Sequence, residues 1–193
     1  RFPQLAKSIA GKTVAVVGGG SVAMDCCESA ARLGARDVYL VYRRSYAQMP
    51  AEPDERQEAL ALGVHFLLLN QPKGYLADQG RLAGLKLVRT RLGEPDAADA
   101  SGRRRPVDVP GSEWELPADV VIEAIGNKAD EALRWSPDVK TNREALILVE
   151  EKTGQTAVKG IYAGGDIVRG PALVVEAVQD GKVAAQAIAA ALS

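Results

Sequence analysis

Residues 14–25, VAVVGGGSVAMD, set Gly18, Gly20 and Ala23 in the pattern G-x-G-x-x-A between an apolar run and a helical repeat. Each position has a chemical reason. The first glycine makes a tight turn, the second lets backbone approach a pyrophosphate, and a small third residue lets helix and strand pack closely. Amides at the helix start, around Ser21 and Val22, then face the diphosphate, helped by the helix dipole. This is the strongest chemistry in the chain and points to a dinucleotide.

The residues after the second apolar run decide which dinucleotide. A site for NAD usually carries an acid there to accept the ribose 2′-hydroxyl, whereas this sequence has Arg43 and Arg44, whose guanidinium groups suit the 2′-phosphate of NADP(H). The alternative is that one or both cap the sheet edge in solvent. A second glycine cluster, GIYAGGDIVRGPALVVEAVQDG at 160–181, puts Asp166 after Gly164 and Gly165 at the mouth of a helix that Pro171 can open. An acid repels phosphate but accepts hydrogen bonds from sugar hydroxyls. The competing role for Asp166 is a turn cap.

Other chemistries are missing. No tyrosine is followed four residues on by lysine, and no C-x-x-C dithiol exists. His65 lies in an apolar run, as a packed histidine does. Cys26 and Cys27 are adjacent in a helical repeat, diverge by about 100° and are too few for a metal centre. The expectation is no metal site and no catalytic acid–base residue, which points to a second cofactor as the receiver of the hydride.

These groups need elements to hold them. TVAVV (13–17) reads as a buried strand, 21–33 as an amphipathic helix ended by Gly34, and DVYLVYRR (37–44) as a second strand. A helix opened by Asp54 and closed by Gly63, then the strand VHFLLLN (64–70), complete β-α-β-α-β, which predicts a parallel sheet with right-handed crossovers. After residue 71 the apolar pattern alternates, as in an antiparallel hairpin turning at Gln79-Gly80. Residues 93–113 read as a hydrophilic loop with Arg103–Arg105 at a solvated tip, and WELPADVVIEAIG as one buried strand ending at Gly126. ALILVEE and KGIYAGG read as strands, followed by a helix over 171–192. The class is α/β, with domains at 1–126 and 127–193.

Composition sets outer limits. With 193 residues, 47% hydrophobic, and a net charge of −1, the balance is that of a globular domain rather than a nucleic-acid or membrane-surface binder. No run approaches the roughly 18 apolar residues of a membrane span, and the first twelve residues lack the apolar core of a signal peptide, so a cytoplasmic setting is expected.

GKTVAVVGGGSVAMDCCESAARLGARDVYLVYRRSYAQMP, ADVVIEAIG and GIYAGGDIVRGPALVVEAVQDGKVAAQAI, in that order, resemble the pyridine-nucleotide portion of flavin oxidoreductases typified by the glutamate synthase small (beta) subunit. The same module occurs in dihydropyrimidine dehydrogenase and in large subunits of NADPH:ferredoxin-type and sulfide dehydrogenases. The resemblance spans about residues 11–190. It implies a Rossmann-like NADPH domain (1–126) inserted into an FAD domain whose C-terminal part is 127–193. It also places Gly126 near the crossover between the two, and Gly165 and Asp166 on the flavin. Amides near Leu173 and Val174 would then face the flavin pyrimidine edge. Ser21 stands where the family often has Asp or Asn. The implied partners are the rest of the flavoprotein, with its other flavin half and iron–sulfur domain, or a catalytic subunit. Hydride would pass from NADPH to FAD, and the isolated chain would be inactive. The other reading is a stand-alone NADP-binding or sensor module without turnover.

Overall fold

The structure is a computed structural model describing residues 3–95, 102–127 and 138–192. It divides into two compact units, Arg1–Ile125 and Gly126–Ser193.

The first unit opens with helix α1 (Pro3–Ile9) and then alternates: β1 (Thr13–Val17), α2 (Ser21–Arg32), β2 (Asp37–Tyr42), α3 (Pro53–Ala61) and β3 (His65–Leu68). With β8 (Val120–Glu123) these strands make a four-stranded sheet ordered β3-β2-β1-β8, parallel throughout. This is the expected Rossmann-like α/β architecture. Alternating side chains of β1 serve two cores. Val14 and Val16 pack with Ala23, Met24, Cys27 and Ala30 of α2, while Ala15 faces Leu85, Leu87 and Leu116 on the other side.

That other side is covered by antiparallel strands: β4 (Asn70–Asp78), β5 (Arg81–Pro95), β6 (Arg104–Asp108) and β7 (Trp114–Pro117). The β4–β5 hairpin turns where expected, with Gln79 and Gly80 at φ of 47° and 76° as a type I′ turn requires. Two expectations fail. The loop expected over 93–113 is partly strand, since β5 runs to Pro95 and pairs with β6 (Arg104–Asp108); residues 96–101 lie outside the described residues. The single strand expected over 114–126 is two. Pro117 ends β7, and the chain changes sheets at Ala118–Asp119, anchored where the Thr13 N–H donates to Asp119 Oδ2 at 2.8 Å. The start of α3 also differs by a residue. Glu52 caps it with Pro53 at the first turn, and Glu55 closes a reciprocal capping box.

Among its described residues, the second unit has little regular structure besides helices α4 (Asp166–Arg169) and α5 (Val174–Leu192). The strands expected at 145–151 and 159–165 are reduced to isolated bridges, Thr141 to Ile147, Val149 to Thr156 and Gln155 to Tyr162. The terminal helix starts three residues later than Pro171, after a turn in which the Leu173 N–H donates to Glu176. No apolar side chain among this unit's described residues is fully buried. Among the described residues, no helix is long and apolar enough to cross a membrane, and no cluster of three metal-ligating side chains occurs.

The cysteines are structural in this frame. Cys27 is fully buried against the sheet, and burial, followed by the neighbouring Cys26 and Glu28, pushes its thiol up to about 12. Cys26 is raised too, first by burial and then by Asp25. Thiolate at Cys27 is then about one part in ten thousand at pH 8. Iodoacetamide should label the native chain far more slowly than the urea-unfolded chain. Equal rates would show that neither thiol is protected.

Candidate functional site

The turn between β1 and α2 is fixed by close packing. The Gly18 N–H donates to the Val41 carbonyl at 3.1 Å, and the Gly19 carbonyl accepts from the Ala51 N–H at 3.1 Å. A side chain on Gly18 would come within 2.3 Å of the Ala124 carbonyl oxygen, and one on Gly19 within 2.5 Å of the Tyr42 ring. Gly18 and Gly19 therefore answer to protein neighbours: the end of β8 in one case and an aromatic of β2 in the other. Tyr42 is held by its hydroxyl, which donates to the Gln48 carbonyl at 2.7 Å. Neither the Gly19–Tyr42 contact nor Tyr42 itself figured in the motif, although an aromatic closing the second strand was a visible signal.

Gly20 is different. It is the N-cap of α2 in extended conformation, and a side chain there would meet only Pro50 Cγ, at 3.7 Å. Gly20, Ser21 and Val22 form the first turn of α2, where amides have no partner within the helix. Ser21 and Val22 are exposed, and Ala23 is fully buried beneath them. The Ser21 hydroxyl donates to Glu55 Oε2 at 2.8 Å, so the backbone rather than the hydroxyl is what Ser21 offers a ligand. The open face before Gly20 fits a pyrophosphate: room, undonated amides and the positive end of a twelve-residue helix.

The two arginines part company. The chain bends after Tyr42, leaving Arg43 exposed, whereas Arg44 is 2% exposed and its Nε donates to the Arg104 carbonyl of β6 at 2.8 Å. Of the expected pair of phosphate ligands, the structure leaves Arg43 at the surface and buries Arg44 against β6. The following turn is held by Arg56, which donates to the Tyr46 carbonyl at 2.9 Å and lies 4.6 Å over the Tyr46 ring. At the end of β8 the exposed Tyr75 hydroxyl donates to Glu123, which raises the phenol's pKa. Ile125 and Gly126 follow, both exposed, with Gly126 at φ of 91°.

In the second unit, Asp166 is exposed at the first position of α4, behind Gly165 at φ of 75°. The turn is fastened by Asp180 of α5, a residue the motif did not flag. Its Oδ2 accepts from the Gly165 N–H at 2.9 Å and from Arg169 Nε at 2.7 Å, while Oδ1 accepts from Arg169 at 2.6 Å. A side chain on Gly164 would lie 2.6 Å from Asp180 Cβ, so the two elements touch at backbone range. An acid inside an otherwise Ala- and Val-rich helix was the available sequence signal. Asp180 and Arg169 also line a cavity of about 390 Å³ with Gly154, Ala163 and Val168. Leu173 and Val174 stand exposed beside the start of α5.

The Arg169 guanidinium, then the Gly165 amide, hold the Asp180 carboxyl down to about 2. A carboxyl lowered in the folded state contributes stability present above its unfolded pKa of about 3.9 and lost as pH falls through its folded value. Asp180→Asn should flatten the part of the far-UV acid titration between about pH 4 and pH 2. An unchanged titration would mean that the clamp does not hold the unit.

The sequence profile of the family described as pyridine nucleotide-disulphide oxidoreductase matches residues 2–181. The NADP(+)-dependent formate dehydrogenase subunit beta of Moorella thermoacetica is 50% identical over 94% of this chain and 25% of its own length. The glutamate synthase [NADPH] small chain of Azospirillum brasilense is 41% identical over 93% of this chain and 37% of its own. Among solved structures, the thioredoxin reductase of T. acidophilum superposes with a TM-score of 0.75 at 22% identity, over 97% of this chain and 55% of the other. Mycobacterium tuberculosis FprA in complex with NADPH gives 0.67 at 19%, over 99% and 55%. The chain thus spans between a quarter and two-fifths of these two curated relatives, and about half of the solved chains. The profile match over residues 2–181 and these relatives show that the chain belongs to the pyridine nucleotide-disulphide oxidoreductase family, whose cofactors are NADP(H) and FAD.

Proposed function

We propose that this chain is the NADPH-binding portion of an FAD-dependent oxidoreductase of the glutamate synthase small-subunit type. The observation carrying this reading is the pairing of an open, amide-rich turn at Gly20–Val22 with an exposed arginine, Arg43, just beyond the next strand. Gly20, Ser21 and Val22 hold the pyrophosphate through backbone N–H groups, and Arg43 holds the 2′-phosphate. NADPH bound there supplies a hydride to FAD, and the electrons pass on to iron–sulfur centres or a partner subunit. The second unit is the C-terminal part of the FAD domain, with Gly165 and Asp166 facing the flavin. Its lack of an apolar core among the described residues supports a larger parent domain. The relatives' own names, a subunit beta and small chains, support a partner subunit.

One charge-assisted hydrogen bond contributes roughly 1.5–3 kcal/mol, so Arg43 alone supports about a ten- to hundredfold preference for NADPH. Calorimetry on the chain should show NADPH binding tighter than NADH by that margin. Arg43→Ala should close the gap by weakening NADPH and leaving NADH unchanged. Equal affinities in the unsubstituted chain would remove the NADP reading.

A further inference from the structure

The bend after β2 is bolted to the antiparallel sheet. The Thr90 hydroxyl on β5 donates to the Arg43 carbonyl at 2.8 Å, and the Leu69 N–H donates to the Arg44 carbonyl at 3.2 Å. The Thr90 N–H in turn donates to the Leu69 carbonyl at 2.8 Å, and Thr90 is itself buried. Arg44 Nε reaches further, to the Arg104 carbonyl on β6. That carbonyl is on a braced strand, because the Arg104 side chain donates to the Gly93 carbonyl at 2.6 Å. A buried guanidinium exchanges water for fixed protein partners, so the bend is held by the Arg44 side chain as well as by backbone bonds.

We propose that Arg44 is a positioning residue for nucleotide choice: together with Thr90 it ties the end of β2 to β5 and β6, fixing the backbone from which the exposed Arg43 reaches the 2′-phosphate. The proposal rests on the reading of Arg43 as the phosphate ligand and assigns the antiparallel sheet a part in specificity. Arg43 has a long flexible side chain that loses rotamer freedom on binding. Holding the carbonyls of residues 43 and 44 removes the backbone share of that loss beforehand, which is affinity gained through preorganisation. Because Arg44 acts through Arg43, its effect exists only while Arg43 is there.

The experiment measures the ratio of NADH to NADPH dissociation constants by calorimetry on the 193-residue chain. The variants are Arg43→Ala, Arg44→Ala, Arg44→Lys, Thr90→Val and the doubles of Arg43→Ala with Arg44→Ala and with Thr90→Val. Arg44→Ala and Thr90→Val should each lower the ratio by about three- to tenfold, with NADH affinity unchanged. Arg44→Lys, whose ammonium can still donate to the Arg104 carbonyl, should recover part of the ratio. In the Arg43→Ala background neither second substitution should change the ratio. Additive effects would make Arg44 a direct phosphate ligand and overturn the proposal. A ratio that falls in Arg43→Ala but not in Arg44→Ala or Thr90→Val would overturn it while leaving the NADPH reading intact. A ratio unmoved by Arg43→Ala would sink both. If Arg44→Ala fails to fold, Thr90→Val alone and in the double decides by the same criteria.

Discussion

Gly18→Ala is expected to lower the melting temperature of the first unit by roughly 10 °C or more, whereas Gly20→Ala should keep its fold and bind nucleotide at least about tenfold more weakly. The two glycines of one motif do different work. A methyl at Gly18 would lie 2.3 Å from the Ala124 carbonyl oxygen and 3.1 Å from Ala23 Cβ, on a backbone at φ of 151°. Neither neighbour is the flexible end of a side chain, so β8 or α2 must move. Overpacking of this kind costs about 1–3 kcal/mol and a disfavoured backbone about as much again, which for a unit this size lowers Tm by roughly 10 °C or more. At Gly20 the backbone is extended and the methyl would meet only Pro50 at 3.7 Å, so the fold should lose about 1 kcal/mol at most. If the pyrophosphate lies against Gly20 as proposed, the methyl takes up space it needs. NADPH should bind at least about tenfold more weakly, with NADH weakened alike because both carry the diphosphate. Thermal melts and calorimetry separate the two effects. Unchanged affinity in Gly20→Ala would show that the diphosphate does not approach there.

Local rules made the dinucleotide half legible. The β-branched run of β1, the small residues of α2 and the Gln79-Gly80 turn each declare themselves within a dozen residues. What escaped reading depends on partners distant in sequence. Arg44 looked identical to Arg43 until β6, sixty residues later, supplied the carbonyl that buries it. The polar stretch after Gly93 pairs as strand because β5 offers it an edge, although its composition says loop. WELPADVVIEAIG is apolar throughout, and only the change of sheet at Ala118–Asp119 shows that Pro117 is a stop signal. In the second unit the apolar pattern of 145–165 suggested strands. The described residues there form single bridges, and Leu173, Val174 and Val175 stand exposed around the start of α5, so apolar patterning in this stretch did not translate into burial.

The 193-residue chain on its own is expected to purify colourless, and in the complete flavoprotein Asp166→Ala should loosen FAD while leaving NADPH affinity unchanged. Asp166 sits exposed at the first position of α4, behind a glycine whose φ of 75° no other residue adopts cheaply, so the turn presents backbone and one carboxylate to whatever approaches. The Asp180–Arg169 pair fixes that turn on α5. A carboxylate in this position accepts hydrogen bonds from sugar or ribityl hydroxyls, each contributing roughly 1.5–3 kcal/mol, so its loss should raise the FAD dissociation constant about ten- to hundredfold. On the proposed reading the second unit offers such a site the turn at Gly165–Asp166 and the start of α5, and residues 126–193 carry no G-x-G-x-x-G sequence for the adenine half. Enclosing most of a large cofactor takes walls on several sides, so this piece should hold FAD too weakly to survive a column. Absorbance near 450 nm read against protein concentration gives the stoichiometry. A yellow preparation of the chain with one FAD per molecule would show that these 193 residues suffice to hold it, and Asp166→Ala with unaltered flavin retention would remove the carboxylate from the flavin site.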